Sequence, residues 1–405
     1  MKILLLCNKS PFPSVEGGPM AMNSIITGLL EAGHQVKVLA VNSKKYNVKP
    51  EDLPEEYKTK TGIELIDVDL RVKPLQAFKN LFSTKSYHVE RFISKDFTNR
   101  LIEILKKDTY DVVQLETVFM APYVDTIRKH SKALIVLRAH NVEHLIWERI
   151  AKGTRFFVKR WYINHLTKTL RNYELSAINQ VDGIAAITRK DAAFFRKYCA
   201  TTTIDIPYGV DPEAFQPNYE INGKPKFYHI GSMNWIPNEE GIRWFIEHCL
   251  DAVVAKVPDF VFHLAGRNMP EWLKSNKNPH VNVLGEVPDA KAFVANHDVA
   301  IVPLLSGSGI RIKIIESMAL GKTVITTQVG AEGILYNEDV NIIIAENKAK
   351  MVEAIRRINQ NPDMAVEIGK AARRLVEEVY DNRKITERLL MFYEQIKTTS
   401  KITFV

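Results

Sequence analysis

The chain has 405 residues, a length that favours two domains over a single one. Its hydrophobic content of 46% is ordinary for a globular protein, and no segment is long and apolar enough to span a bilayer, which argues against a membrane-spanning protein. The net charge of +8 favours anionic partners, among them nucleotides, nucleic acids and acidic lipids.

Cysteine usage and the N-terminal segment both favour a cytoplasmic protein. Cys7, Cys199 and Cys249 are far apart and lack the spacing of metal ligands, so they predict reduced thiols. The run Met1–Cys7 is similar to the start of a signal peptide, but it is short and polar residues end it. It therefore predicts a first buried strand.

A β–α–β unit opens the chain. The strand Lys2–Leu6 is followed by a loop rich in proline and glycine, by a helix from about 20 to 32 and by a strand over 34–41. This order is typical of a right-handed crossover in a parallel sheet. Further apolar runs extend the sheet into one doubly wound domain; they lie at 111–115, 133–137 and 183–187.

A second α/β series follows a turn-rich segment that begins near residue 206. Its apolar strands lie at 227–230, 260–264, 281–284, 299–302, 323–326 and 341–344. The predicted fold class is α/β, with two tandem doubly wound Rossmann-like domains whose strand carboxyl ends face one cleft. The predicted domains are 1–205 and 206–382, and the C-terminal helix 383–405 is expected to rejoin the first domain.

The most informative segment, 299–319, combines a strand, a small-residue loop and a helix start. The loop contains Ser308, Gly309 and Ile310, and a helical pattern follows it. Unpaired backbone N–H groups and the helix dipole at such a position favour an anion.

Three side chains behind this loop extend the predicted anion site. Arg311 and Lys313 add cations, and Glu316 could accept hydrogen bonds from ribose hydroxyls, so the pattern suits a nucleoside diphosphate. The alternative is a tight turn of an α/β fold that binds no ligand. The segment has neither the Gly-Lys-Ser/Thr end of a Walker motif nor a Gly-x-Gly-x-x-Gly dinucleotide fingerprint.

The segment 155–171 is basic and aromatic, and no carboxylate follows before Glu174. Such a helix is typical of a protein that lies on an anionic membrane surface. The alternative is a domain-surface helix whose aromatic side chains enter the core, and periodicity does not separate the two. No aromatic-rich pattern for single strands recurs, so no nucleic-acid partner is expected.

Several short motifs, taken in order, resemble a known family. They are Gly17-Gly18, Gly33-His34-Gln35-Val36-Lys37-Val38, His140-Asn141, Pro207-Tyr208-Gly209-Val210-Asp211, Gly231-Ser232-Met233, the block 307–321 and Val329-Gly330-Ala331-Glu332-Gly333. Over nearly its whole length the chain resembles a GT-B glycosyltransferase of the family-4, or group 1, type. The resemblance implies retaining transfer of a hexose-type sugar from a nucleoside diphosphate sugar to an acceptor hydroxyl.

The resemblance also implies roles for the matching positions. His140 would contact the transferred sugar and act in catalysis together with Arg311 and Lys313. Glu116 and Asn141 are candidates for contact with the sugar or the acceptor. The donor-binding residues implied are Gly17, Gly18, Gly231, Ser232, Ser308, Gly309, Ile310 and Glu316.

One position departs from the family pattern. Most relatives carry two glutamates eight positions apart in the diphosphate block, and this chain has Ser308 at the first position and Glu316 at the second. A serine still hydrogen-bonds to sugar hydroxyls, but it offers no negative charge to an oxocarbenium-like centre. The serine therefore affects two expectations that the resemblance implies: the contact with the transferred sugar and the retention of the anomeric configuration.

Two other functional classes stay open from the sequence. A nucleotide-sugar epimerase would share the architecture and would need acid/base carboxylates, for which Glu116 and Glu143 are candidates. The other class is a nucleotide-sugar-binding protein without catalysis. No cofactor and no metal are expected, because Arg311 and Lys313 would replace a metal ion. The acceptor is expected to be a glycan or lipid-linked glycan, in cell-surface polysaccharide synthesis at the inner membrane face.

Overall fold

The protein divides into two compact units. A computed structural model describes residues 1–307 and 309–399 and the helical backbone of 400–402. The first unit comprises Met1–Gly209 with the C-terminal helix that begins at Asn382, and the second comprises Val210–Asp381. The division therefore lies four residues beyond the predicted 205/206 position. Ile206 still belongs to the first unit, because its N–H bonds to Ala186 and its side chain is buried in that core.

The first unit contains a seven-stranded parallel sheet of order β3-β2-β1-β4-β5-β6-β7. Its strands are β1 (Lys2–Cys7), β2 (Gln35–Asn42), β3 (Glu64–Asp67), β4 (Val112–Glu116), β5 (Leu134–Ala139), β6 (Gly183–Ala186) and β7 (Thr202–Asp205). The order reverses between β1 and β4, which is where ligands bind in doubly wound sheets. The two edge strands, β3 and β7, were not predicted.

Helices cover both faces of this sheet. They are α1 (Gly17–Glu31), α2 (Glu55–Thr61), α3 (Pro74–Asn80), α4 (Tyr87–Glu90), α5 (Lys95–Lys107), α6 (Val124–His130), α7 (Glu143–Gly153), α8 (Phe157–Ala177) and α9 (Arg189–Tyr198), with 3₁₀ turns at Lys44–Tyr46, Pro50–Asp52 and Val118–Tyr123. Helix α1 begins at Gly17, whereas the sequence predicted a start near residue 20. The reason is that Gly17 and Gly18 join Pro19 in the first turn, a position that proline favours.

The second unit contains a six-stranded parallel sheet of order β10-β9-β8-β11-β12-β13. Its strands are β8 (Phe227–Ile230), β9 (Phe262–Ala265), β10 (Val281–Gly285), β11 (Val299–Val302), β12 (Thr323–Thr326) and β13 (Ile343–Ile344). Its order reverses between β8 and β11, so this second sheet has its own ligand-binding position of the doubly wound type.

The second unit's helices and the C-terminal helix complete the structure. They are α10 (Ile236–Trp244), α11 (Leu250–Lys256), α12 (Glu271–Lys274), α13 (Ala290–Ala295), α14 (Ile312–Ala319), α15 (Lys348–Gln360), α16 (Pro362–Leu375) and α17 (Asn382–Ile402), with a 3₁₀ turn at Pro212–Ala214 and π-helical turns at Phe245–Cys249 and Val376–Tyr380. Among the described residues, no helix combines the length and apolar character that crossing a bilayer requires.

The alternation of side chains along the strands produces a core on each face of the first sheet. Leu4 and Leu6 of β1 pack into one apolar cluster, whereas Ile3 and Leu5 pack into the other. Helix α17 supplies Ile385, Leu389, Phe392, Tyr393 and Ile396 to the second cluster. The apolar stripe of α17 explains why the chain returns to the first unit after completing the second.

Candidate functional site

Two loops of the second unit meet where its strand order reverses. One follows β8 and contains Gly231 and Ser232, and the other follows β11 and leads into α14. The strands β8 and β11 pair in parallel, with Phe227 opposite Val299, so both loops leave the same edge of the sheet. This is the edge at which the sequence placed the anion site.

Lys313, on the first turn of α14, links the two loops. Its Nζ donates to Oδ1 of Asn238 at 2.7 Å and lies 3.3 Å from Nε2 of His229. Asn238 in turn donates from Nδ2 to the carbonyl of Ser232 at 2.8 Å. Burial and the nearby Arg311 lower the pKa of Lys313 to about 7. The ammonium is thus held in a fixed position, and an anion would strengthen its charged form.

His229 is neutral and oriented. It is fully buried on β8, its Nδ1 lies 2.8 Å from the carbonyl of Ile301, and burial lowers its pKa well below the ordinary value. A carbonyl only accepts, so Nδ1 carries the proton and Nε2 accepts from Lys313. An ammonium has three N–H donors, and two of them have partners here among the described residues. The third is available to a phosphate oxygen.

Glycine at two loop positions makes this arrangement possible. A Cβ on Gly231 would lie 2.4 Å from Nζ of Lys313 and 2.8 Å from Nδ2 of Asn238. A Cβ on Gly266, which has φ of +144°, would lie 1.8 Å from the carbonyl oxygen of Gly231. A larger residue at Gly231 would therefore displace the lysine, and one at Gly266 would separate the loop after β9 from the loop after β8.

The loop before α14 places Arg311 beside Trp235. Gly307 and Gly309 have φ of 117° and 77°, the left-handed region that glycine favours. The Arg311 guanidinium bonds to the carbonyl of Gly309 and lies 5.4 Å from the centre of the Trp235 ring. Ser308 lies outside the described residues. Ile310 is half-buried and precedes Arg311, the N-cap residue of α14.

Glu316 follows Lys313 by one turn of α14 and is half-buried. Burial raises the pKa of its carboxyl group to about 7, and Lys291 opposes the shift. The hydroxyl of Ser232 lies 2.8 Å from Oδ1 of Asn234 and accepts from Asn268 at 3.2 Å. The second unit therefore presents two cations, a carboxyl group and oriented loop backbone at one sheet edge.

The first unit has a polar cluster at its own sheet reversal. Glu116 ends β4 and is fully buried; its Oε2 lies 2.6 Å from Nε2 of His140, and its Oε1 accepts from Gln114 at 2.6 Å. The buried Arg138, paired with Glu116 in the strand register, places Nη1 3.6 Å from Oε2. Burial acts to raise the pKa of Glu116, but Arg138 and the hydrogen bonds from His140 and Gln114 outweigh it and lower the pKa.

His140 follows β5 and is almost completely buried. Burial lowers its pKa, although Glu116 opposes the shift, so the imidazole is neutral at neutral pH. Nε2 must carry the proton because the ionised Glu116 carboxylate only accepts. Nδ1 is then an acceptor, which matches a sugar hydroxyl. The structure thus brings Glu116 and His140 together. Glu116 is fully buried with its carboxylate on His140, whereas the sequence made it a candidate for direct contact with the sugar or the acceptor, and that role stays a prediction.

The residues after His140 are held by α8. The N–H groups of Glu143 and His144 donate to the buried Glu174 at 3.0 and 3.3 Å, and Nδ1 of His144 lies 2.5 Å from the same carboxylate. Asn141 is half-buried and reaches Glu143 Oε1 at 3.5 Å. Burial and the charge of Glu174 raise the pKa of Glu143 to about 8.

Gly17 and Gly18 form the first turn of α1, after the loop that leaves β1. A Cβ on Gly18 would lie 2.9 Å from Cε and 3.1 Å from Nζ of Lys9. The lysine Nζ lies 3.6 Å from Glu16. The glycines thus leave room for a lysine side chain at the helix start, where backbone N–H groups lack helical partners.

Sequence reasoning missed several residues that position these groups. The sequence analysis gave no role at the site to five of them: Asn238, His229, Gln114, Arg138 and Glu174. An arginine inside the apolar strand β5 is the one signal that the sequence offered, because a buried charge requires a partner on a neighbouring strand. For the other residues only tertiary proximity identifies the role.

No metal centre is evident in the described part of the chain, where no group of three His, Cys, Asp or Glu side chains could hold an ion. The sequence contains one Asp-x-Asp pattern, Asp67-Val68-Asp69, at the end of the edge strand β3. Asp67 accepts from Asn42 at 2.9 Å, and Asp69 bonds to Arg71 at 2.8 Å. These carboxylates have protein partners and lie far along the sheet from the β1–β4 reversal.

Comparisons with known proteins agree with this geometry. Residues 224–361 match the sequence model of the family described as Glycosyl transferases group 1. Over 396 residues the chain is 21% identical to an uncharacterized 44.6 kDa protein in the cps region of Klebsiella pneumoniae, with 95% of this chain and 97% of the relative covered.

Solved structures share the fold over nearly the whole chain. Sucrose-phosphate synthase from Thermosynechococcus elongatus is 16% identical, with 98% of this chain and 100% of that chain covered and a TM-score of 0.71. Alr3699/HepE from Anabaena in complex with UDP is 14% identical, with 98% and 100% covered and a TM-score of 0.68. The predicted GT-B fold is confirmed, and within it residues 224–361 match a glycosyltransferase domain.

Proposed function

Because residues 224–361 form a Glycosyl transferases group 1 domain, we propose that the protein transfers a hexose-type sugar from a nucleoside diphosphate sugar to an acceptor hydroxyl. The transfer retains the anomeric configuration and requires no metal. The observation that carries the proposal is the Lys313 ammonium, which Asn238 and His229 hold at the start of α14 beside the loops of β8 and β11.

The reaction's main demand is stabilisation of the leaving diphosphate. Negative charge grows on the phosphate oxygens as the glycosidic bond breaks, and groups that are already oriented stabilise it without reorganisation. Lys313 and Arg311 supply the positive charge that a divalent metal supplies in other enzymes, and the N–H groups at the start of α14 add to it. The lowered pKa of Lys313 rises again once the diphosphate is bound, so the lysine is charged when it is needed.

Glu316 binds the donor's ribose. It lies one turn along α14 from Lys313, a spacing that suits a nucleoside joined to a diphosphate. Two ribose hydroxyls donating to its carboxylate favour the ionised form and lower the raised pKa. Gly231, Ser232, Gly309 and Ile310 line the donor phosphates through their backbone.

The cluster of the first unit acts on the sugar and the acceptor. In this proposal Nδ1 of His140 accepts from a hydroxyl of the transferred sugar, while Glu116 holds the ring in the required tautomer. Asn141 contacts the sugar or the acceptor. Gly17 and Gly18 offer the N–H groups of the first turn of α1, where an approaching oxygen meets no side chain.

Retention is proposed to proceed on one face of the sugar, with the departing phosphate taking the proton of the acceptor hydroxyl. No protein general base is then required. Ser308 replaces the family's first glutamate, so its contribution is a hydrogen bond to the sugar and not a charge. The cations of the diphosphate block carry the electrostatic stabilisation in its place.

The biological setting that we propose is cell-surface polysaccharide synthesis. The relative from the Klebsiella pneumoniae cps region supports it, because the similarity covers almost the full length of both chains. The acceptor would be a glycan or a lipid-linked glycan, which an enzyme on the cytoplasmic side of a membrane would meet at the membrane's inner face.

The test is thermal shift and donor hydrolysis with a panel of nucleotide sugars that varies the base and the sugar. We expect one donor to stabilise the wild type and to be slowly hydrolysed, and both effects to be lost in Lys313→Ala and Glu316→Ala. Lys274→Ala removes an exposed lysine of the same unit and is the matched control. Product analysis then separates sugar transfer from epimer formation without acceptor. If no donor stabilises the protein, the proposed function is wrong.

A further inference from the structure

The first unit exposes several large apolar side chains on α3, just after it and at the start of α8. Leu75, Phe78 and Phe82 are 79%, 61% and 83% exposed, and Phe157 and Trp161 are 71% and 61% exposed. The two segments that carry them, 70–89 and 149–173, are here called the aromatic–basic surface. Of the two alternatives that the sequence left open for 155–171, the one in which aromatic side chains enter the core does not hold for Phe157 and Trp161 of α8.

The two segments are adjacent. Nε2 of His165 on α8 lies 3.2 Å from the backbone carbonyl of Asn80, the last residue of α3. Phe157, Trp161 and His165 follow one another at intervals of four residues, so they lie along one stripe of α8. Phe82 follows Asn80 by two residues and its ring lies 5.8 Å from that of Phe78, so this exposed ring pair lies beside the contact with α8.

The surface also carries the chain's excess positive charge. The segment 70–89 contains four lysines and arginines, the segment 149–173 contains seven, and neither contains a carboxylate. Four carboxylates flank the segments, and three of them, Asp69, Glu90 and Glu148, form ion pairs with cations of the segments. When all four flanking carboxylates are counted, the two segments carry +7 of the chain's net charge of +8. The basic character of the protein is therefore concentrated at one surface.

We infer that the aromatic–basic surface docks on an anionic phospholipid bilayer. Exposed aromatic and leucine side chains enter the boundary between headgroups and acyl chains, and the surrounding lysines and arginines contact the lipid phosphates. Isolated exposed apolar residues need no explanation, but a contiguous patch within a basic field does. This inference goes beyond the proposed function, since the surface contains no residue assigned to sugar transfer.

Charge and chemistry argue against other occupants. A second copy of the chain would bring two strongly positive surfaces together, and like charges repel at such an interface. A nucleic acid would satisfy the charge, but it would leave Leu75 and the exposed phenylalanines of α3 in water. A bilayer satisfies both features.

The test uses the full chain and co-sedimentation with vesicles of phosphatidylcholine alone or with added phosphatidylglycerol. We expect binding only to the anionic vesicles, weakened by high salt, and a blue shift of tryptophan fluorescence that Trp161→Phe removes. The triple variant Arg155→Gln/Lys159→Gln/Arg160→Gln should reduce the partition coefficient on the order of 100-fold, because each cation near an anionic surface raises it about fivefold. The matched control Lys274→Gln/Lys277→Gln/Lys350→Gln removes exposed cations of the second unit and should retain binding.

A second pair of variants separates insertion from simple charge attraction. Phe78→Ser/Phe82→Ser/Trp161→Ser changes only exposed side chains, so the fold is retained, and binding should fall at least about tenfold. Met391→Ser, 72% exposed on α17, is its control. Three results would each overturn the inference. They are equal binding by the aromatic variant and the wild type, no binding to anionic vesicles, and tighter binding to a nucleic acid that displaces the protein from the vesicles. None of these results depends on sugar transfer.

Discussion

Nε2 of His140 lies 2.6 Å from Oε2 of Glu116, although 24 positions separate the two residues in the chain. Glu116 ends β4, and His140 follows the adjacent parallel strand β5. Arg138 and Gln114 complete the charge and hydrogen-bond requirements of the carboxylate. The contact fixes a neutral imidazole with its acceptor nitrogen directed away from Glu116. It converts two isolated polar residues of the sequence into one functional unit.

Glu116→Gln should lower kcat/KM for sugar transfer about ten- to hundredfold, the effect expected from losing one charge-assisted hydrogen bond. The amide no longer imposes a single tautomer on His140. Steady-state kinetics with the best donor of the panel measure the change. Glu31→Gln, on the exposed end of α1, is the control. Unchanged kinetics in Glu116→Gln would remove the positioning role of Glu116.

Donor binding should depend on pH in a bell shape centred near 7. The pKa of Lys313 is lowered to about 7, so affinity falls as pH rises above this value and the ammonium loses its proton. The pKa of Glu316 is raised to about 7, so affinity also falls below it, as the carboxylate becomes protonated. Each limb changes affinity by at most about tenfold per pH unit.

Calorimetry with the best donor of the panel measures this profile, since the diphosphate diester of a nucleotide sugar has no titrating group near neutral pH. Lys313→Ala should bind weakly and lack the alkaline limb, whereas Glu316→Gln should lack the acid limb. A wild-type profile that is flat over the neutral range would contradict the assignment of these two residues to the donor.

Gly231→Ala should weaken the same binding about tenfold or more, since the added Cβ would lie 2.4 Å from Nζ of Lys313 and move the ammonium from its position. Gly153→Ala is the matched control, because nothing lies within 4 Å of a Cβ at that glycine. Normal affinity in Gly231→Ala would show that the position of Lys313 does not determine donor binding.

Glu174→Gln should destabilise the first unit by about 2 kcal/mol. The carboxylate accepts from two N–H groups at the start of α7 and pairs with His144, and the amide retains only part of these bonds. Thermal unfolding measures the loss. Glu148→Gln changes a more exposed carboxylate of α7 and should have little effect. Equal unfolding temperatures for Glu174→Gln and wild type would refute the capping role.

Glu143 should make stability fall as pH rises. Burial and Glu174 raise its pKa from 4.5 to about 8, so the folded state holds a proton that the unfolded state has released. This stabilising contribution is complete below pH 4.5 and is lost as pH rises through about 8. The unfolding temperature of wild type relative to Glu143→Gln should therefore decline over this window. A constant difference would show that the carboxyl is ionised throughout.

Strands with continuous apolar runs were predictable from the sequence. The strands that the sequence analysis missed lack such runs for one common reason. The predictions for β8, β11 and β12 are confirmed to the residue, because central strands of a parallel sheet are buried on both faces. The missed strands β3 and β7 form the two edges of the first sheet and are only half-buried. Their polar residues face solvent, so no apolar run marks them.

The candidate site likewise has one part that the sequence could predict and another that it could not. The loop before α14, with Arg311, Lys313 and Glu316, was identifiable because its groups are neighbours in the sequence and belong to one strand–loop–helix unit. Lys313's partners, His229 and Asn238, come from another strand and another helix, so no spacing rule connects them. Their roles depend on the parallel pairing of β8 with β11, which only the folded sheet establishes.

Sequence by itself determined the α/β class, the two series of strands and the family resemblance, and it located the strand–loop–helix block for which anion binding is proposed. All of these depend on local periodicity or on groups within one turn or loop. Tertiary structure decided which side chains share protons and charge: His140 with Glu116, Glu174 with the start of α7, and Lys313 with Asn238. The physical reason is that hydrogen bonds and pKa values depend on distances and burial, and packing sets both across elements far apart in the chain.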